Sequence, residues 1–298
     1  MFCDKGFYMR EQLKNTFFLL NKNLWLVFLL ATFALGGLLY LSILKSFADS
    51  IIEIFVGALT FLLLVVTGFA GFYYTVRTMV LTSEREVSCS LIKAFPKGVA
   101  EYFSSAFGFV CLYMFLFLFF IIAFIFIGKS LIPPFSFNAE DLANLMATGG
   151  TILDFEKLLT PEDMISMRWW KVLHFVCTTL LWFLSLYWIP ETFLNTKNAF
   201  KSLIFSIKMI FKNLSVTLNL FVVILLINFV IQNLLMLLPA NEFLGMLGLF
   251  IHFYVLTFTC VLVFDCYKNF FELPVVSVVA ENNLEEIEMD NDVDGREE

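Results

Sequence analysis

The sequence predicts an all-α, polytopic membrane protein, with six transmembrane helices arranged as three hairpins, each preceded by a cytoplasmic amphipathic helix. Three observations carry that prediction. Hydrophobic residues make up 60% of the 298, and mean hydropathy is +0.87, whereas soluble domains are roughly 45–50% apolar. The apolar residues fall in blocks long enough to cross a bilayer, which takes roughly 20 residues at about 1.5 Å each. A basic amphipathic stretch precedes each pair of blocks, at about residues 8–23, 85–106 and 196–213.

Taken in order, the six spans are expected at about 24–44, 51–76, 107–127, 169–190, 214–238 and 243–267. The first basic stretch carries Arg10, Lys14 and Lys22. The span after it is too long for a signal-peptide core and has no A-x-A cleavage site, so it reads as uncleaved. The second stretch contains Ser90 to Gly98 and is expected to break at Pro96, which removes a backbone donor; a new helix then feeds the third span. The loop at about 128–168 holds two helix starts. One is Asn138-Ala139-Glu140-Asp141, with a stop at Gly149-Gly150. The other is Thr160-Pro161-Glu162-Asp163, with an N-cap, a first-turn proline and an acid three residues on. The fourth span carries Lys171 and His174 near one end, where a lysine can reach the headgroups.

The third basic stretch has the sharpest pattern. On a helical wheel over 197–213, Lys197, Lys201, Lys208 and Lys212 fall within about 60° of arc. Phe200, Leu203, Ile204, Ile207, Ile210 and Phe211 cover the neighbouring face, and Ser202, Ser206 and Asn213 the opposite side. This pattern is expected of a helix lying in the membrane interface, its lysines meeting anionic lipid. The triplet Lys22-Asn23-Leu24, which opens the first span, recurs as Lys212-Asn213-Leu214 at the fifth, so the chain reads as three repeats. Residues 1–270 form the membrane domain. Residues 271–298 form an acidic tail expected to be disordered.

Orientation follows from the basic residues: fourteen of the nineteen lysines and arginines fall on one side of the six spans and four on the other. The positive-inside bias places both termini in the cytoplasm. Trp25, Tyr73, Tyr74, Tyr187, Trp188 and Tyr267 are then expected to mark the inner interface, and Tyr40, Trp169 and Trp170 the outer one. The 39 phenylalanines read as lipid-facing bulk. The acidic tail would repel phosphate, so nucleic acid is not an expected partner.

Chemistry-bearing motifs are scarce. The chain has no H-E-x-x-H, G-x-S-x-G or phosphate loop, and only two histidines, His174 and His252. No metal, cofactor or catalytic residue is expected, and the six cysteines have no ligand-like spacing. One polar set stands out. Asn228 and Gln232 share a helix face, and a turn at Pro239-Ala240-Asn241 would bring His252 level with them. Such a cluster reads as interhelical hydrogen bonding, or as the pathway of a small-solute permease or channel.

Two further stretches carry a resemblance: Thr82-Ser83-Glu84-Arg85-Glu86-Val87-Ser88 running on to Tyr102, and Ile189-Pro190-Glu191 followed by Asn198-Ala199-Phe200-Lys201-Ser202 and Phe211-Lys212-Asn213. They resemble bacterial six-helix membrane families, mostly uncharacterised, akin to the membrane domain attached to some glycerophosphodiester phosphodiesterases. The catalytic barrel of those enzymes and its histidine–arginine start are absent here, so the resemblance implies architecture and no hydrolase activity. The expected function is therefore a non-enzymatic membrane scaffold or accessory factor. Its partners would be the bilayer, anionic lipids and a cytoplasmic or membrane protein.

Overall fold

A computed structural model describes residues 3–47, 50–82, 87–136, 147, 159–236 and 242–270. Among the described residues the chain forms nine α-helices: α1 Cys3–Lys22, α2 Trp25–Phe47, α3 Ile51–Leu81, α4 Val87–Leu131, α5 Pro161–Leu184, α6 Trp188–Leu194, α7 Ala199–Lys212, α8 Leu214–Met236 and α9 Glu242–Phe270. Six helical stretches are long and apolar enough to cross a membrane: Trp25–Ser46, Ile51–Leu81, Lys93–Leu131, Pro161–Leu194, Leu214–Leu235 and Leu244–Asn269. These correspond one to one with the six expected spans.

Local chemistry explains the element boundaries. Ser50 caps α3: its hydroxyl accepts from the Glu53 amide at 3.2 Å, and the Glu53 carboxylate accepts from the Ser50 amide at 3.1 Å. The two bonds satisfy two orphan donors reciprocally. Thr160 and Asp163 do the same for α5, as the sequence predicts there, and α5 runs without interruption into the fourth span. The two Lys-Asn-Leu triplets both sit at helix junctions. The backbone carbonyl of Asn23 accepts from Leu26 at 3.0 Å, and that of Asn213 accepts from Val216 at 3.1 Å. Each asparagine thereby ends one helix and opens the next.

One expectation is corrected. The chain does not break at Pro96: α4 passes through it as one 45-residue helix. Pro96 is exposed, and the residues beside it are clamped on α3. A Cβ on Gly98 would overlap Tyr74, and one on Gly71 would overlap the Phe95 ring, so the helices approach through glycine. The loss of one backbone bond, part of proline's helix cost of about 3 kcal/mol, is offset by that packing. The fourth span, expected at about 169–190, lies within the apolar stretch Pro161–Leu194, whose helix is interrupted: α5 ends at Leu184, the chain turns through Ser185–Tyr187, and α6 follows. The expected helix at Asn138–Gly150, the turn at Pro239-Ala240-Asn241 and the tail 271–298 lie outside the described residues.

The chain divides into two compact units, Met1–Val110 with Ser185–Glu298, and Cys111–Leu184. In the smaller unit the distal part of α4 pairs with α5. Phe124 and Trp170 meet edge to face at 5.0 Å, and Trp170 lies so close over Gly128 that a side chain there would strike it. Asp163 accepts from the amide and hydroxyl of Ser136, each at 2.7 Å, fastening the segment after α4 to the start of α5.

In the larger unit α2 and α3 form an antiparallel hairpin. The Tyr40 hydroxyl donates to the Gly57 carbonyl at 3.1 Å, and Tyr40 stacks on Phe61. Helix α9 runs parallel to α3, with Tyr73 beside Phe264 and the Lys268 ammonium donating to the Val80 carbonyl at 2.7 Å. Helix α1 does not lie apart from the bundle as an interfacial helix would. It runs antiparallel to α9: Asn269 donates to Gln12 at 3.1 Å and Tyr254 to Asn21 at 3.0 Å. Phe28 of α2 then meets Phe250 at 5.6 Å, so α1 and α2 form one interrupted line along α9.

These contacts reveal two ends with opposite surfaces. On α3, Ile51, Ile52, Phe55 and Val56 are widely exposed, whereas Val66, Ala70, Val76 and Met79 are fully buried. The same change occurs on α9 between Phe250 and Phe253, and on α2 between Val27 and Phe28. Soluble monomers do not expose apolar surface on this scale. The exposed end suits lipid contact, while the other end carries its own packed core of Leu26, Val66, Ala70, Phe72, Tyr74, Tyr102, Phe193, Val261 and Phe264.

Candidate functional site

The packed end is where α6 and α7 sit, and its chemistry begins with buried aromatic residues. Tyr102 stacks on Phe193 at 4.9 Å, Phe109 meets Trp188 at 4.3 Å, and Tyr74 lies 5.4 Å from Tyr102. Tyr74, Tyr187, Trp188 and Tyr267 are all buried. They gather at one end, as an interfacial belt would, but point into protein rather than toward headgroups.

Polar bonds thread this core and fix α6 against its neighbours. The Tyr102 hydroxyl donates to the Phe193 carbonyl at 3.2 Å, and the Trp188 indole donates to the Ala199 carbonyl at 2.7 Å. Thr192 and Ser202 share a bond at 2.7 Å. At the centre is Glu191, only 2% exposed. Its carboxylate accepts from Tyr267 of α9 and from the Asn195 amide at 3.0 Å. The Asn195 amide also donates to the Tyr267 hydroxyl at 2.9 Å. This three-residue junction ties α6 to α9 and was not expected from sequence. Its signal was present in Pro190-Glu191, an acid directly after an apolar run.

Helix α7 packs on this scaffold through its small and polar side. Asn198, whose side chain accepts from the amides of Phe200 and Lys201, caps it, so the helix starts two residues later than expected. Ala199, Ser202, Ser206, Met209 and Ile210 are buried and span an arc of about 100° on the wheel. The opposite arc faces outward. It carries Lys201, Lys208 and Lys212, all exposed, flanked by Phe200 at 60%, Phe211 at 64%, Ile204 and Phe205. A helix packed on a soluble core would bury its aromatic residues and expose its serines; α7 does the reverse.

Lys197 departs from the expected stripe. It precedes the helix, pairs with Glu101 at 3.5 Å and lies 4.9 Å over the Tyr102 ring, while its carbonyl accepts from Ser105 at 2.5 Å. It is exposed, like the other three, but its charge is paired across to α4. The residues of the expected cluster in the fifth and sixth spans have other surroundings. The Asn228 amide donates to the Ile224 carbonyl of its own helix at 2.9 Å, Gln232 is exposed, and His252 stands against Phe253. No hydrogen bond joins the three among the described residues.

Among the described residues there is no group of three or more metal-ligating side chains. Comparison of the chain with protein-family models, with curated proteins and with solved structures finds no match in any of the three.

Proposed function

We propose that the protein is a multi-pass membrane scaffold or accessory factor of the bacterial cytoplasmic membrane, working by holding anionic lipid, and a partner protein, at its cytoplasmic face rather than by catalysis. The observation that carries this reading is the outward face of α7, where three lysines stand between exposed phenylalanines and isoleucine while the serine face is buried. Aromatic and aliphatic side chains on such a helix sink to the headgroup boundary and lysines meet lipid phosphate. The excess of lysine and arginine on the side that holds α7 supports a cytoplasmic setting for it, with both termini on that side.

Each lysine near an anionic leaflet contributes about 1 kcal/mol, so Lys201, Lys208 and Lys212 together contribute roughly 3 kcal/mol, or about two orders of magnitude in affinity. The test is a peptide spanning Asn198–Leu214 titrated with vesicles of phosphatidylglycerol and of phosphatidylcholine. Changing the three lysines to glutamine should remove most of the preference for phosphatidylglycerol. Equal binding of the two peptides to phosphatidylglycerol would overturn the lipid role.

A further inference from the structure

We propose that the acidic run Glu281–Glu298 docks on the outward face of α7 and competes there with anionic lipid, so that the chain carries its own occupant for its lipid-binding face. The competition rests on the lipid reading above; the docking itself does not. Charge complementarity is the first ground. The run holds nine acids and one base, Arg296, and the exposed face of α7 presents Lys201, Lys208 and Lys212, none of them in a salt bridge among the described residues.

Position is the second ground. The acidic run follows α9, and the end of α9 is bonded to the segment that leads into α7: the Asn195 amide donates to the Tyr267 hydroxyl at 2.9 Å, and α7 begins at Ala199. Glu281 follows Tyr267 by fourteen residues, a stretch that spans at most about 50 Å, while α7 is about 21 Å long. The run can therefore reach the helix and extend along its whole length. The other lysines nearby fit less well. Lys197 already has Glu101 as partner, and Lys268 is turned onto the Val80 carbonyl. The third ground is the spacing of the lysines, which occupy one narrow arc and so present a single cationic line to an extended acidic segment.

The experiment uses the full chain in nanodiscs and a zero-length carbodiimide reagent, which joins a lysine amine to a carboxylate only when they are in contact. In phosphatidylcholine discs, amide links from residues 281–298 should concentrate on Lys201, Lys208 and Lys212, above those to the equally exposed Lys14 and Lys93. They should form within one molecule in an isotope-mixing control and fall away at 1 M salt, where screening acts within about 3 Å. Replacing part of the neutral lipid by phosphatidylglycerol should lower them roughly tenfold or more, since each lysine gains about 1 kcal/mol at the anionic surface. No excess of links to the α7 lysines, or links formed only between molecules, overturns the docking. Links that persist unchanged in phosphatidylglycerol overturn the competition. Failure of the lipid reading appears separately, as equal binding of the native and glutamine peptides to phosphatidylglycerol vesicles.

Discussion

Tyr267→Phe removes one oxygen from the junction that joins α6 to α9, and its effect can be worked from the geometry. Tyr267 is fully buried and Glu191 nearly so. The lost hydroxyl is one of two donors to the Glu191 carboxylate; the other, the Asn195 amide at 3.0 Å, remains. Glu191 cannot replace the missing donor with water at that depth, so the cost is that of leaving a buried acceptor short, about 1–3 kcal/mol. The Asn195 N–H released from the Tyr267 hydroxyl belongs to an exposed residue and can meet water, which adds nothing. In a chain of 298 residues about 2 kcal/mol lowers the unfolding midpoint by roughly 3 °C. Thermal unfolding in detergent, followed by tryptophan fluorescence, reads the shift. The double variant Tyr267→Phe with Glu191→Leu should lose less than the two single variants added together, because it removes the stranded acceptor along with its donor. A midpoint within a degree of the native one for Tyr267→Phe, together with strict additivity in the double variant, would refute the junction as a stabilising unit.

Other substitutions separate the remaining elements. Gly98→Leu should unfold the packed end or prevent its assembly, since even a Cβ there overlaps Tyr74; expression and monodispersity in detergent report it. Pro96→Ala restores a backbone donor inside a continuous helix and should raise the unfolding midpoint, by an amount corresponding to roughly 1–3 kcal/mol; a fall would favour a functional break at that position. Lys197→Gln should loosen α7 from α4, since it removes the partner of Glu101, and should lower the unfolding midpoint of the whole protein. Asn228→Leu should change stability by less than about 0.5 kcal/mol, because its amide serves only its own helix.

The number and approximate limits of the spans were legible in the sequence because bilayer thickness imposes a length and a composition that no local detail alters. Helix starts were legible where a side chain bonds its own neighbourhood, as at Thr160 with Asp163; Ser50 with Glu53 carried the same signal. The stripe on α7 was legible as a pattern, but its direction was not. Periodicity identifies two faces and cannot say that Ser202 and Ser206 point inward. That choice is made by Thr192 and Trp188 on a different helix. The three repeats were over-read for a related reason. The basic residues of α1 and of the start of α4 follow the same pattern as those of α7. Their partners lie far away in sequence, on α9 for α1 and on α3 for the start of α4, and those contacts set α1 along the bundle and make α4 continuous. Tyr187, Trp188 and Tyr267 were expected in a headgroup layer and are instead buried in protein, since an aromatic residue with a polar atom suits a headgroup layer and a hydrogen-bonded core equally well.

The pairing of α1 with α9 has a consequence in time. Gln12 and Asn269 are 257 residues apart, and Asn21 and Tyr254 are 233 apart. At about 5–20 residues per second, the ribosome needs on the order of tens of seconds to supply the partner of a helix it made first. Throughout that interval the face of α1 bearing Gln12, Thr16 and Leu20 has no α9 to cover it. The larger unit can close only when synthesis of α9 is nearly complete, so the first helix of the chain is among the last to reach its place.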